Sequence, residues 1–352
     1  MVERKWIVAL VGGMLAWPGF GWAQMPAPVA GDEIIGTPEL VQKACAEGQV
    51  IYYTPDSETQ SRAITAVFEK RFPCIRVLTV SAVSGRLIER IAAESAATKI
   101  QADVVLLNDL QALTKFKDTG VIRPWTPPTD DKYPATAKLA GWWYGAGGTM
   151  DYIVYNTNLV SAADAPKTWQ DILDPKWKGK IAAGTVSLGG TAWLQYYFFH
   201  QKYGDDFLKK LAAQQPRYFT SYQPLTLAVA RGELAIALTC ISVEAPMRIV
   251  DGAPLKAVYP ADGIPVVPAW MVLMSHSPHP DAALLYANWA TSREGQEAQV
   301  RARMIWSQRP DVPAAEGNPP ASSMNFWNLP ADVMIREYAD FTAKAAHILG
   351  QE

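Results

Sequence analysis

Residues 49–60, with the sequence QVIYYTPDSETQ, decide the fold of this chain. The first five are rich in β-branched and aromatic side chains, which is typical of a buried strand. Ser57 and Gln60 then have the spacing of a capping box, in which each side chain bonds the backbone N–H of the other residue at a helix start. A strand that passes through a four-residue loop into a capped helix predicts a β-loop-α unit.

The same unit repeats through the first third of the chain. The helix after the capping box places Ile64, Phe68 and Phe72 on one face, which is the spacing of a helix that packs on a core. Strands that alternate with helices favour an α/β fold with a largely parallel sheet. The further predicted elements are strands at residues 75–80 and 103–107, a helix from Ser84 and a helix over residues 110–117.

The second half of the chain predicts further α/β units. Its predicted strands cover residues 152–156, 180–183, 235–240 and 266–274. Its predicted helices are one that follows residues 187–191 and ends at residue 203, one from about residue 224 to residue 231, and two over residues 281–290 and 293–303. A length of 352 residues is sufficient for two domains with separate cores. We predict a discontinuous lobe 1 of residues 45–153 plus 264–330 and a lobe 2 of residues 154–263. The two connections between them are what hinge closure requires.

The N-terminus predicts a secretion signal. Arg4 and Lys5 precede an apolar run at residues 6–17, and Gly21 and Ala23 have the small-residue spacing of a cleavage site. The run is shorter than the roughly 20 apolar residues of a membrane-spanning helix. We expect residues 1–23 to be a cleavable signal peptide and the mature protein to be periplasmic.

Composition argues against several function classes. A net charge of −2, without long basic runs, does not favour nucleic-acid binding. The chain has three cysteines, of which Cys45 and Cys74 fall in the same predicted lobe and are the candidate disulfide pair. Whether they form a disulfide depends on the distance and orientation of the two side chains in the folded chain. We found no C-x-x-C or H-x-x-x-H spacing, so we predict no zinc site and no other metal site.

Enzyme motifs are also missing from the sequence. It contains no G-x-S-x-G elbow, phosphate-binding P-loop or G-x-G-x-x-G, and only four histidines. We therefore predict a binding protein without a cofactor, rather than an enzyme.

Several stretches together resemble a known family. They are EGQVIYYT at 47–54, FEKRFP at 68–73, ADVV at 102–105, YNT at 155–157, WQDILDP at 169–175, YPADG at 259–263, ANW at 287–289 and SREGQ at 292–296. In this order they resemble the extracellular solute-binding proteins of the ferric-iron and related group. The resemblance covers roughly residues 45–310.

The resemblance implies a two-lobed periplasmic-binding-protein fold, the venus-flytrap fold of type II, with the ligand between the lobes. It implies a monomer that passes a small molecule to an ABC permease and its ATPase in the inner membrane. A ligand sensor for a chemoreceptor uses the same fold and is an alternative, which neighbouring genes would distinguish.

The resemblance does not identify the ligand. Ferric members of the group bind iron through two adjacent tyrosines after the strand that follows a Gly-Glu pair, but residues 239–244 are TCISVE here. Tyr196 and Tyr197 are adjacent but lie inside a predicted helix. A ferric-iron or ferric-complex binding protein therefore stays an alternative.

The predicted ligand-binding residues lie where ligands bind in α/β sheets, beyond the carboxyl ends of strands and at helix starts. Hydroxyls and free backbone N–H groups there favour an oxyanion, an organic phosphate or phosphonate, or a carboxylate. If several of the acidic residues converged, a cation or metal would be favoured instead. The aromatic residues at 142–144, Trp193, Tyr222 and Trp270 suit either cleft walls or core packing. The predicted residues are Thr54, Asp56, Ser57, Ser81, Ser84, Gly85, Asn108, Asp109, Asp151, Ser187, Gly190, Thr191, Tyr222, Ser242 and Glu244.

Overall fold

The computed structural model describes residues 27–188, 190–241, 248–249, 252–316 and 318–351. The predicted signal segment, residues 1–23, lies outside these ranges, as do Ser242 and Glu244.

The described chain alternates strands and helices. The strands are β1 (Val29–Ala30), β2 (Glu33–Ile34), β3 (Gln49–Thr54), β4 (Arg76–Ser81), β5 (Val104–Leu107), β6 (Ile122–Arg123), β7 (Lys138–Leu139), β8 (Trp143–Asn156), β9 (Ile181–Gly184), β10 (Arg217–Phe219), β11 (Ile236–Ile241), β12 (Leu255–Val258), β13 (Ile264–Met274) and β14 (Phe326–Trp327). The α-helices are α1 (Pro38–Glu47), α2 (Glu58–Arg71), α3 (Ser84–Ala96), α4 (Leu110–Asp118), α5 (Gly190–Tyr203), α6 (Asp205–Ala213), α7 (Tyr222–Ala230), α8 (Pro280–Thr291), α9 (Arg293–Arg303) and α10 (Ala331–Leu349).

The first β-loop-α unit forms as its sequence predicts. Ser57 is the N-cap of α2, and its side chain and that of Gln60 make the reciprocal bonds of a capping box. Ile64, Phe68 and Phe72 are buried on the core side of this helix. The α/β fold class is confirmed, since the repeated units continue through β4–α3 and β5–α4.

The main sheet has the strand order β10-β9-β11-β8-β13-β5-β3-β4. β3, β4 and β5 are parallel, as are β9, β10 and β11. The long strands β8 and β13 run antiparallel between these two sets. Along β8 the neighbour changes from β13, which pairs with Met150, to β11, which pairs with Asp151. The chain therefore passes from one parallel set to the other within β8, close to Asp151.

Large aromatic side chains fill the core. Trp143, Tyr144, Trp193 and Trp270 are each at most 1% exposed. For these four residues the structure supports core packing rather than a cleft wall.

A disulfide joins Cys45 of α1 to Cys74, two residues before β4. These are the two cysteines that the sequence placed in one lobe. In the part of the chain that the structure describes, no helix combines the length and apolar character needed to cross a membrane.

Helix α10 is a C-terminal element that the sequence analysis did not anticipate. It packs on α5 and α6, where the Phe341 ring lies 5.6 Å from that of Trp193 and 5.0 Å from that of Tyr197, measured between ring centroids. Lys344 forms an ion pair of 2.7 Å with Asp205 at the start of α6. The helix begins just beyond residue 330, the last boundary of the predicted lobes, and the lobe boundaries themselves stay a prediction.

Candidate functional site

A cleft of about 550 Å³ lies between the carboxyl ends of the two parallel strand sets. From the β3–β5 side it is lined by Pro55, Val83, Ser84, Asn108, Asp109, Leu110 and Gln111. From the β9–β11 side it is lined by Leu188, Gly190, Thr191 and Tyr222, and from β8 by Thr149. Residues from both sides therefore surround one space, as hinge closure on a ligand requires.

Four helices begin at this cleft. Ser84 is the first residue of α3, Leu110 of α4, Gly190 of α5 and Tyr222 of α7, and each of the four lines the cleft. The first backbone N–H groups of a helix have no partner within the helix, and the helix dipole is positive at that end. The cleft is therefore positively polarised by backbone groups.

The β3–β5 side of the cleft is held by short polar contacts. Ser84 donates a hydrogen bond of 2.7 Å from its hydroxyl to the Asn108 side-chain oxygen. The Asp109 carboxylate accepts a hydrogen bond of 2.9 Å from the backbone N–H of Ala112 and so caps α4. The negative charge of Asp109 thus lies against the positive end of its own helix, where it is stabilised.

The β9–β11 side presents two linked hydroxyls. The hydroxyls of Thr191 and Tyr222 are 2.7 Å apart and hydrogen-bonded. Both residues line the cleft, one in the first turn of α5 and the other at the start of α7. This pair can present a hydroxyl donor to a bound ligand.

Asp151 lies below this hydroxyl pair, in the interior. Its side chain is fully buried, and neither carboxylate oxygen makes a hydrogen bond within the described residues. Burial raises the pKa of Asp151 well above its ordinary value, and interaction with the Thr191 side chain offsets part of that increase. A carboxyl group in such a place favours the neutral, protonated form.

Helix α10 supplies the remaining side of the cleft through Met334, Ile335 and Tyr338. The indole N–H of Trp193 donates a hydrogen bond of 3.2 Å to the Tyr338 carbonyl, which ties α10 to α5. Burial raises the pKa of the Tyr338 phenol, and the nearby Asp109 carboxylate raises it further. Tyr338 therefore lies near α4 as well, so that α10 reaches both sides of the cleft.

Of the predicted ligand-binding residues, six line the cleft: Ser84, Asn108, Asp109, Gly190, Thr191 and Tyr222. The loop after β3 is placed differently. Asp56 makes a buried, two-pronged ion pair with Arg303, with hydrogen bonds of 2.7 and 2.6 Å. Thr54 is buried and donates to Asp56, and Ser57 caps α2, so these three side chains serve the fold.

Of the remaining predicted residues, Ser81, Gly85 and Ser187 are described and do not line the cleft. Ser81, the last residue of β4, is exposed, and so is Gly85 in the first turn of α3. Ser187 is exposed and donates to the Thr185 hydroxyl at 3.2 Å. Ser242 and Glu244 lie outside the described residues.

Sequence reasoning missed the apolar part of the cleft. Val83, Leu110 and Leu188 adjoin predicted polar positions, and apolar residues at helix starts carry no separate signal. For α10 a signal existed, since Met334, Tyr338, Phe341, Ala345 and Leu349 have helical spacing. That pattern predicts a core-facing helix but not that the helix lies beside the cleft.

The charge pattern of the cleft is unusual for an ion site. Within the described chain, no lysine, arginine or histidine lines the cleft. The same residues contain no cluster of three or more His, Cys, Asp or Glu side chains that could hold a metal ion. The polar character of the cleft comes mainly from hydroxyls, amides and helix starts.

Residues 54–297 match the profile of the family described as bacterial extracellular solute-binding protein. Three solved structures share the fold. The substrate-binding protein of an ABC transporter from Agrobacterium tumefaciens has a TM-score of 0.71 and 18% identity, and the match covers 86% of this chain and 94% of that one. Iron-bound HitA from Pseudomonas aeruginosa has a TM-score of 0.68 and 21% identity, and the match covers 86% of this chain and 98% of that one. AfuA from Actinobacillus pleuropneumoniae, with bound fructose-6-phosphate, has a TM-score of 0.69 and 20% identity, and the match covers 87% of this chain and 99% of that one. At these identities the likeness concerns the fold.

Proposed function

This chain belongs to the family of bacterial extracellular solute-binding proteins, and on that premise we propose that it captures a small organic anion with an apolar part. It delivers that anion to an ABC importer. The observation that carries the choice of ligand is the convergence of four helix starts on a cleft that apolar side chains also line.

The helix starts favour an anion. The first backbone N–H groups of α3, α4, α5 and α7 have no partners within their helices, and each helix dipole favours negative charge at that end. The two carboxylates near the cleft oppose this weakly, because Asp109 caps α4 and Asp151 is buried in conditions that favour its neutral form. The net polarity offered to a ligand is therefore positive.

The apolar residues that line the cleft favour an organic ligand over an inorganic ion. Val83, Leu188, Met334 and Ile335 line the cleft, and we refer to these four as the apolar wall. The volume of about 550 Å³ lies in the range of about 300–1,000 Å³ typical of small-molecule sites. An oxyanion such as phosphate would leave the wall in contact with water. An aryl or alkyl group beside the anionic head would cover it and gain hydrophobic free energy.

Ferric iron is the competing ligand, since iron-bound HitA shares the fold. Iron requires anionic oxygen ligands, and burial together with the Asp109 carboxylate raises the pKa of the Tyr338 phenol, which disfavours its ionisation. AfuA, with bound fructose-6-phosphate, is an example of the same fold holding an organic anion. The chemistry of the described cleft is closer to that second case.

Binding works by a population shift. Contacts from both sides of the cleft stabilise a closed arrangement relative to an open one, and the importer recognises the closed shape. We further propose that the protein acts by binding alone, as a monomer in the periplasm after removal of residues 1–23. Genes for a permease and an ATPase beside its own would support the importer, and a receptor gene would favour the sensor.

The test is a thermal-unfolding screen of the refolded, ligand-free protein with matched pairs of compounds. Benzoate is compared with acetate, phenylphosphonate with phosphate, and benzylamine and ferric citrate serve as the cationic and ferric members. A compound at 100 times its dissociation constant stabilises the folded state by about 2.7 kcal/mol. We expect benzoate or phenylphosphonate to raise the unfolding midpoint more than its smaller partner. A rise with ferric citrate or benzylamine alone would refute the proposal.

A further inference from the structure

Asp151 is a buried acid at the point where the chain passes between the two strand sets. It is fully buried, and in the described part of the chain neither of its carboxylate oxygens makes a hydrogen bond. Such a group costs stability wherever it serves only the fold. Its position next to a binding cleft points to a role in that cleft.

A line of polar groups connects Asp151 to the cleft. Asp151 and Thr149 lie two residues apart on β8 and so share one face of the strand, and Thr149 lines the cleft. The Asp151 carboxyl interacts with the Thr191 side chain. The Thr191 hydroxyl is hydrogen-bonded at 2.7 Å to that of Tyr222, and both residues line the cleft. A carboxyl, a hydroxyl and a phenol thus follow one another from the interior outward.

Among the described residues around Asp151, none supplies a compensating charge. On α5, Tyr196 interacts with Asp151 electrostatically, but its hydroxyl donates to the Gly184 carbonyl at 2.6 Å, and burial raises its pKa well above the ordinary value. On β11, the residue opposite is Ile241, and on β13, Val266 pairs with the preceding residue Met150. Across the described ranges, no lysine, arginine or histidine forms an ion pair with Asp151.

We propose that Asp151 is a specificity-determining residue that, as a neutral carboxylic acid, donates to the Thr191 hydroxyl and thereby orients the Thr191–Tyr222 pair to donate toward an anionic ligand. This inference rests on the proposed function. A protonated carboxyl has one donor, and each hydroxyl can accept one hydrogen bond while donating another. The chain of donors therefore runs from Asp151 toward the cleft, and each bond polarises the next.

Ionisation of Asp151 would reverse this preference. A carboxylate only accepts hydrogen bonds, so the Thr191 hydroxyl would turn toward Asp151 and away from Tyr222. It would also place a second negative charge near the bound anion. Affinity for an anion is therefore expected to fall as the pH rises and Asp151 loses its proton.

The experiment measures benzoate binding by calorimetry for the wild type, Asp151→Asn and Asp151→Leu at several pH values. Benzoate stays ionised above about pH 6, so its own charge does not change. Asparagine keeps the shape and a donor but cannot ionise, and leucine has neither donor nor acceptor. We expect the affinity of the wild type for benzoate to weaken as the pH rises. Asp151→Asn should retain most of the affinity without the pH dependence. At low pH, Asp151→Leu should bind benzoate about fivefold more weakly than the wild type.

Other results would overturn the inference. The inference would be wrong if benzoate binding to Asp151→Asn had the same pH profile as the wild type, or if Asp151→Leu bound benzoate with wild-type affinity. It would also be wrong if the wild type bound benzylamine and Asp151→Asn abolished that binding. Absence of binding of both benzoate and phenylphosphonate by the wild type would refute the proposed function itself. Without any ligand, thermal unfolding tests the inference separately. The stability of Asp151→Asn relative to the wild type should increase with pH from about 4 upward, and a constant difference would refute a buried proton at Asp151.

Discussion

The Asp56–Arg303 ion pair allows a quantitative test of the residue assignments in the loop after β3. The side chains of Arg303 and Asp56 are 6% and 8% exposed, and two hydrogen bonds of 2.7 and 2.6 Å join them. Arg303 also donates to the Ala146 carbonyl on β8 at 2.7 Å. Asp56→Asn preserves the size of the side chain but leaves the guanidinium buried without its counter-charge.

The expected loss is large. Removal of one partner of a buried ion pair typically costs about 3–5 kcal/mol, because the remaining charge stays desolvated. A domain of this size class loses about 2–4 °C of unfolding midpoint for each kcal/mol, so Asp56→Asn should unfold roughly 10 °C below the wild type.

The control is an ion pair of the same length at the surface. Arg62 and Glu58 are 2.6 Å apart, but both side chains are 76% exposed. Such pairs contribute less than about 1 kcal/mol, so Glu58→Gln should change the midpoint little. Differential scanning calorimetry of the three ligand-free proteins measures both effects. If Asp56→Asn lost no more stability than Glu58→Gln, the assignment of Asp56 to the fold would be wrong.

Three further changes test the cleft and the disulfide. At Gly190 a side chain would enter open space, at a φ of +33° that strains any replacement, so Asp and Asn variants share the strain and differ in charge. Gly190→Asp should bind benzoate at least fivefold more weakly than Gly190→Asn, because two like charges about 5 Å apart repel by roughly 1–3 kcal/mol. Equal affinities of the two variants in a calorimetric titration would exclude an anion at this position. Met334→Ser should weaken binding of benzoate but not of acetate in the same titration, and equal losses would remove the apolar wall from the site. Replacing Cys45 and Cys74 by serine should lower the free energy of unfolding by about 3–4 kcal/mol, because the bridge joins residues 29 apart and restricts the unfolded chain. Urea denaturation measures this loss, and a value below about 1 kcal/mol would contradict the explanation from the entropy of the unfolded chain.

Local features of the fold could be predicted well from the sequence. The capping box at Ser57 and the apolar face of α2 depend on residues within a few positions of each other. The starts of α3 and α4 were predicted to within a residue for the same reason, and residues 187–191 were predicted to lead into α5. The candidate cleft positions Ser84, Asn108, Gly190 and Thr191 followed, because helix starts after parallel strands converge at one edge of a sheet.

The sequence by itself therefore determined the α/β units, the family resemblance and the helix starts that face the cleft. The tertiary structure alone decided what each acidic residue does. Asp56 bonds Arg303, which lies 247 positions away, and Asp151 lies beneath Thr191. It also decided that α10 forms one side of the cleft. Capping and periodicity act over one or two helical turns, whereas burial and charge pairing depend on residues that only the folded chain brings together.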